Sequence, residues 1–307
     1  MTNIPEKLEN ATVVIAGASS GFGKGAALKL AEKGANIVVA ARRTDLLEEL
    51  VEEIRQNGGN ALAVTADVSL QEDIENLSRK AVETYGRIDV WINNVGVGAL
   101  GYFWDIPLEV HKRVMDVNFA GLVYGAHVAL NQFIRQKGGT LVNVGSIDSE
   151  VPLALQNTYA ATKAGVLSLS RSLNEELRLS GHKDYIKVAT IMPWAVDTPW
   201  WTHAANYTGH APRMTAMDDP EIVVDAIVKA CTDPKEEMPV GSKAHASNIS
   251  HQIFPNLTER VSATLAKKES EKAMSAEHTT GTLFSPMAQG SGIDGGIRER
   301  MQKEDAG

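Results

Sequence analysis

Two short stretches hold the residue types from which a proton-transfer site can be built. An apolar run, Val142-Asn143-Val144-Gly145, ends at Ser146. Thirteen residues further on, Tyr159-Ala160-Ala161-Thr162-Lys163 places a phenol and an ammonium four positions apart, on one face of a predicted helix. A tyrosine hydroxyl titrates near pH ~10, so it exchanges protons poorly at neutral pH unless something favours the phenolate. A close, partly desolvated cation does so, and each unit by which Lys163 lowers the Tyr159 pKa corresponds to about 1.4 kcal/mol. Taken alone, Tyr-x-x-x-Lys is equally compatible with two ordinary helix residues, so the surrounding elements must decide.

The first of these is a nearly continuous apolar run, residues 11–16, expected to be a parallel strand covered on both faces. It leads into Gly17-Ala18-Ser19-Ser20-Gly21-Phe22-Gly23 and then a helical pattern carrying Ala27, Leu28, Leu30 and Ala31. Strand, glycine turn and helix in that order make an anion site, because bare backbone lets a pyrophosphate approach and the helix start supplies N–H groups. The cofactor-binding residues expected here are Gly17, Ser19, Ser20, Gly21, Phe22 and Gly23. The second strand, residues 36–41, ends at Arg42-Arg43. An acid at this strand end holds ribose hydroxyls, whereas arginine accommodates a 2′-phosphate. Ala41 stands where the acid would be, so NADP(H) is expected rather than NAD(H), with Arg42 as the phosphate contact and Arg43 as a second.

Helices and strands continue to alternate. Helices are expected near 46–56, 71–85, 108–136, 158–179 and 220–230, and strands near 61–65, 88–92, 142–145, 186–192 and 238–240. Such alternation implies an α/β fold, a doubly wound parallel β-sheet of the Rossmann kind with helices on both faces. Ligands bind such sheets beyond the carboxyl ends of the strands, where the strand order reverses. Gly17, Asn93, Ser146 and Pro193 all fall at such ends, which brings Tyr159 and Lys163 into a site. A single dinucleotide-binding and catalytic domain is expected over 1–241, with a C-terminal helical extension and polar tail over 242–307.

In the order and spacing of these motifs the chain resembles the short-chain dehydrogenase/reductase family over about residues 8–240. The matching elements are Gly17/Gly21/Gly23, Asp67-Val68, Asn93-Asn94-Val95-Gly96, Asn118, Ser146, Tyr159-x-x-x-Lys163, and Pro193 followed by Thr198. The resemblance implies that Tyr159 is the general acid or base and that Lys163 lowers its pKa while holding the nicotinamide ribose. Ser146 would bind the substrate oxygen, and Asn118 would retain a water linking Lys163 to solvent. Asp67 and Val68 would contact the adenine, Asn93 the cofactor's path over the fourth strand, and Thr198, after Pro193, the carboxamide. The chain departs from the family at Val95, where alanine is usual, and at Trp194, where glycine often follows the proline. A catalytically silent NADP(H)-sensing or scaffold protein of the same fold is the competing reading, against which the intact Asn118, Ser146, Tyr159 and Lys163 set speaks.

The aromatic segment Trp194, Trp200, Trp201, His203, Tyr207, His210 lies where a lid would cover the site, and with Phe103 and Trp104 it points to a bulky, apolar carbonyl or alcohol substrate. Asp148 and Glu150 are expected to face solvent. A net charge of −8 and a pI near 5.5 argue against nucleic acid as partner. The lone Cys231 forms no intramolecular disulfide and is expected as a small buried hydrophobe in a reducing, cytoplasmic setting. No metal-ligand pattern is expected. The polar stretch 1–10 has no apolar signal core, and no apolar run is long enough to span a membrane. Ile249, Ile253, Leu257, Val261 and Leu265 recur every four residues around Pro255, which predicts amphipathic helices; beyond about 267 a loosely packed tail is expected. The helices around Asn118 and Tyr159 resemble those through which family members form homodimers and homotetramers.

Overall fold

Strands rich in Val and Ile, each followed by a glycine or polar turn and a helix, set the order of the fold. The computed structural model describes residues 8–306, so the polar N-terminal stretch up to residue 7 lies outside the described residues. In chain order the elements are β1 (Thr12–Ala16), α1 (Gly21–Glu32), β2 (Asn36–Ala41), α2 (Thr44–Gln56), β3 (Asn60–Thr65), α3 (Gln71–Tyr85), β4 (Val90–Asn93), β5 (Ala99–Leu100), α4 (Leu108–Met115) and α5 (Gly121–Gln136). They continue with β6 (Gly139–Val144), α6 (Asn157–Leu179), β7 (Ile186–Pro193), α7 (Trp200–His203), β8 (Ala205–Asn206), α8 (Glu221–Ala230), β9 (Glu237–Val240), α9 (Gly241–Ile253), α10 (Pro255–Lys272) and α11 (Ile297–Ala306). Seven strands form one sheet in the order β3-β2-β1-β4-β6-β7-β9, every pairing parallel. The chain runs outward from β1 through β3 and then returns to place β4 on the other side of β1, so the order reverses between β1 and β4.

Alternation along β1 divides the core. Val13 and Ile15 face the layer holding Leu30 of α1, Leu50 of α2 and Ile227 of α8. Val14 and Ala16 face the other, with Leu77 of α3, Phe133 of α5 and Leu177 of α6. Cys231 is fully buried in the first layer, as expected for a small hydrophobe. The helix expected over 108–136 is broken at Asp116–Ala120 by a π-helical turn that carries Asn118. It runs on unbroken through Gly125, where a Cβ would come within 2.2 Å of Asn93 Oδ1.

The C-terminal segment departs most from expectation. α9 and α10 form around Pro255 as predicted, but Ile253, Leu257 and Val261 remain exposed. Beyond them the chain is not a loose tail, since Leu283 is 0% exposed and Ile297 2%. From Thr279 to Ile297 it crosses the carboxyl ends of the strands as a strap. α11 is then fastened by Arg213, whose side chain is 1% exposed and reaches Glu304 and Asp305 at 2.9 Å and Glu269 of α10 at 3.2 Å. Arg213→Ala would leave the carboxylate of Glu304 buried without its main counter-charge. A loss of about 3 kcal/mol is expected in urea unfolding, and a loss below about 1 kcal/mol would show the cluster to be idle. Among the described residues no helix is long and apolar enough to cross a membrane.

Candidate active site

The end of β6 and the first turns of α6 build the reactive corner. After Val144 the chain turns at Ser146 into a short 3₁₀ turn, Ile147–Ser149, held by Asp148 N–H donating to Ser146 Oγ at 3.1 Å. Helical spacing brings Tyr159 and Lys163 to the same side, where the Tyr159 phenol lies near the Ser146 hydroxyl and its ring packs, tilted by 56°, 5.0 Å from that of Trp200. Lys163 is 2% exposed and its Nζ donates to the Val144 carbonyl at 2.7 Å, 5.6 Å from the centre of the Tyr159 ring. Electrostatics here run against the expected tuning. Burial, and after it the Asp148 charge, raise the Tyr159 phenol above its ordinary value, and the Ser146 bond opposes them only partly. Burial likewise lowers Lys163 to about 8. In this state the ammonium does not draw the phenol down: it lies over the ring, 5.6 Å from its centre, with one hydrogen held by the Val144 carbonyl.

One cavity of about 260 Å³ runs from this corner along the strand ends to the glycine turn. Gly17, Ser19, Ser20, Gly21, Phe22, Arg42, Arg43, Asp67, Val68, Pro193 and Thr198 line it, as expected of a nucleotide crevice. Gly17, at φ +94°, and Gly23 are required by the turn: a Cβ on Gly17 would meet Val95, and one on Gly23 would lie 2.0 Å from the Gly17 carbonyl. Gly23 therefore supports the turn from behind. Asn93 does not line the cavity. It is buried between Trp91, which donates to its Oδ1 at 2.8 Å, and Asn143, while its neighbour Asn94 takes the lining position. Asn118 is a satisfied core group, with Oδ1 accepting from Val97 N–H and Nδ2 donating to the Val97 carbonyl and Thr162 Oγ1. It fixes the loop after β4 and does not line the cavity.

The strap closes the nucleotide end. Arg42 donates to the carbonyls of Thr282 and Leu283, and Arg43 to those of Met287, Gln289 and Gly290 as well as to Ser19 Oγ and Ser20 Oγ. Gly21 N–H, at the start of α1, donates to the Gly292 carbonyl at 2.9 Å. Asp67 pairs with Arg113 at 2.6 Å. The strap is pinned where Asp197 accepts from the N–H groups of Ile297 and Arg298. Thr282, Pro286 and Met287 thus become lining residues that sequence reasoning missed, since a segment holding its partners by main-chain carbonyls carries no side-chain signature.

At the other end, Trp194, Trp200, Trp201 and His203 line the cavity as expected, but Phe103 and Trp104 do not. They are 57% and 78% exposed, packed on His111 and Tyr102 instead. Tyr207 and His210 are not lining residues either. Asp148 is buried and faces the cavity, contrary to its expected solvent position, whereas Glu150 pairs with Arg171. Leu153, Gln156, Met214 and, from α10, Ser262 complete this end.

A family model described as short chain dehydrogenase matches residues 11–207. The oxidoreductase YxnA of Bacillus subtilis (strain 168) is 38% identical over 259 residues, spanning 83% of this chain and 72% of its own length. Among solved structures, an alcohol dehydrogenase from the archaeon Thermococcus sibiricus, complexed with 5-hydroxy-NADP, is 26% identical with a TM-score of 0.65 over 75% of this chain and 96% of that one. A short chain dehydrogenase/reductase from Burkholderia phymatum, in complex with NAD, shares the fold, with a TM-score of 0.73 and 23% identity over 84% of this chain and 96% of that one.

Proposed function

The chain belongs to the short-chain dehydrogenase family, and from that premise we propose that it is an NADP(H)-dependent oxidoreductase interconverting a ketone and a secondary alcohol. The observation that carries this reading is that Tyr159, Ser146 and the Lys163 ammonium together line one end of a cavity whose other end is the glycine turn. The residues fit the nucleotide. Lys163 has three N–H donors and spends one on Val144, leaving donors for ribose hydroxyls. Burial lowers Arg42 and Arg43 below the usual guanidinium range, their mutual repulsion adding at Arg43, which is the state an incoming phosphate relieves. The alcohol dehydrogenase relative complexed with 5-hydroxy-NADP supports the same choice.

The bound nucleotide supplies the hydride for the carbonyl carbon, or takes it up. Ser146 Oγ holds the carbonyl oxygen and steadies the charge that gathers on it. Tyr159, which burial and Asp148 keep protonated at neutral pH, gives its proton to that oxygen. Lys163 lies beside the ring to favour the phenolate left behind. Carbonyl and proton donor held in one cavity also avoid the entropic cost of a chance encounter. Within the expected 1–241 domain lies the catalytic unit, while Ser262, Thr282, Pro286 and Met287 of the C-terminal extension close its cavity, and the exposed Met115, Phe119 and Ile134 of the α4–α5 face suit contact with a second copy.

Absorbance at the reduced-nicotinamide band with a panel of ketones tests the proposal. NADPH should be oxidised with a kcat/KM about 10²-fold above that for NADH, as expected for a 2′-phosphate held by two guanidiniums. Equal use of both nucleotides would remove the NADP(H) assignment. Nucleotide binding without turnover on any ketone would favour the silent, sensing protein.

A further inference from the structure

Asp148 carries neither proton nor hydride in the reaction as described and bears on it only through its charge on Tyr159. It is 7% exposed, shares the short turn of Ser146, and lines the cavity beside Leu153, Gln156 and Trp194. Its N–H donates to Ser146 Oγ, but among the described residues nothing donates to its carboxylate oxygens. Its oxygens open only onto the cavity, and a carboxylate so largely buried, with no donor of its own, is costly unless a ligand completes the pairing. Burial pushes its carboxyl up to about 7, with the Lys163 ammonium pulling the other way. Lys163 acts on it through charge alone, no hydrogen bond or ion pair joining the two, and the ammonium donates to the Val144 carbonyl instead. The walls around it, Val151, Leu153, Trp194, Trp200 and Met214, bring no counter-charge. They do bring indole faces, which attract organic cations.

Resting on the reductase reading above, we propose that Asp148 determines substrate specificity and that the substrate is an amino ketone, or the matching amino alcohol, whose protonated nitrogen pairs with this carboxylate while its oxygen meets Ser146 and Tyr159. Because Asp148 and Ser146 lie on one turn, only a short carbon spacer separates nitrogen from carbonyl. The amide of Gln156, also buried and lining the same end, offers a second acceptor for the ammonium. Pairing also removes the negative charge that opposes ionisation of Tyr159, so recognition favours proton removal in the oxidative direction.

The test compares α-aminoacetophenone with propiophenone, which share ring and carbonyl and differ by an amine in place of a methyl. In the full-length enzyme with NADPH, kcat/KM should favour the amine by about 10²-fold, as for a site built to pair one polar group. The isosteric Asp148→Asn variant should abolish that preference, bringing the ratio of kcat/KM for the two ketones to within a few-fold of one. Independently of turnover, phenylethanolamine should quench tryptophan fluorescence of the nucleotide-free protein, with affinity weakened at least about 30-fold in Asp148→Asn, in proportion to a lost charge pair. Equal kcat/KM for the two ketones in the native enzyme, or a preference that survives Asp148→Asn, would overturn the inference and leave the reductase reading standing. If no ketone supports NADPH oxidation, the reductase reading fails, and the fluorescence titration alone decides whether Asp148 pairs with the amine.

Discussion

Tyr159→Phe is expected to lower kcat by about 10³-fold or more while nucleotide affinity stays within a few-fold of the native value. The substitution keeps the ring, which packs at 5.0 Å against Trp200, and removes the hydroxyl whose proton the carbonyl oxygen must receive. Positioned proton transfer is worth roughly 10²–10⁴-fold, and loss of the hydroxyl also leaves Ser146 as the lone donor to the oxygen. Steady-state kinetics with NADPH, paired with a nucleotide fluorescence titration, separate the two effects. Retention of activity within ten-fold would mean that the proton comes from elsewhere, and Asp148 would be the next group to consider, since burial brings its carboxyl up to about 7.

The second large effect is expected at the end of β2. The double variant Arg42→Ala/Arg43→Ala should reduce the preference for NADPH over NADH by about 10²-fold or more, because each charge-assisted bond to a phosphate contributes roughly 1.5–3 kcal/mol. The same guanidiniums hold strap carbonyls, so NADH provides the necessary control. With NADH, kcat/KM should be unchanged or higher. A parallel loss for both nucleotides would mean that the arginines serve only to hold the strap.

How far the sequence was legible depended on where each signal resided. The parallel sheet could be read because β1 and β2 are nearly continuous runs of Val, Ile and Ala, and β6 carries Leu141, Val142 and Val144, a pattern set by burial on both faces. The Tyr159–Lys163 pairing followed from helical spacing alone. Its electrostatics did not, because they depend on what the Lys163 ammonium bonds to and on the nearness of Asp148, and spacing reveals neither. Asn93 and Asn94 are adjacent and chemically identical, so only the alternation of β4 decides that one is core and the other lines the cavity. Residue type alone places Phe103 and Trp104 at the pocket, yet their loop turns outward, Trp104 stacking on Tyr102 and Phe103 packing on His111 of α4. Residues 279–297 carried least signal, being polar, rich in glycine and attached through main-chain oxygens.

That last attachment has a thermodynamic consequence for any dinucleotide that seats on the Gly17–Gly23 turn. The Gly292 carbonyl already receives the amide hydrogen at the head of α1, and the Thr282–Gly290 carbonyls already receive those of the two guanidiniums. Protein oxygen and phosphate oxygen therefore vie for one set of hydrogens, and by reciprocity whatever tightens one grip loosens the other. Arg298, joined to Asp197, Asp219 and Asp294, anchors the far end of the segment whose oxygens compete in this way.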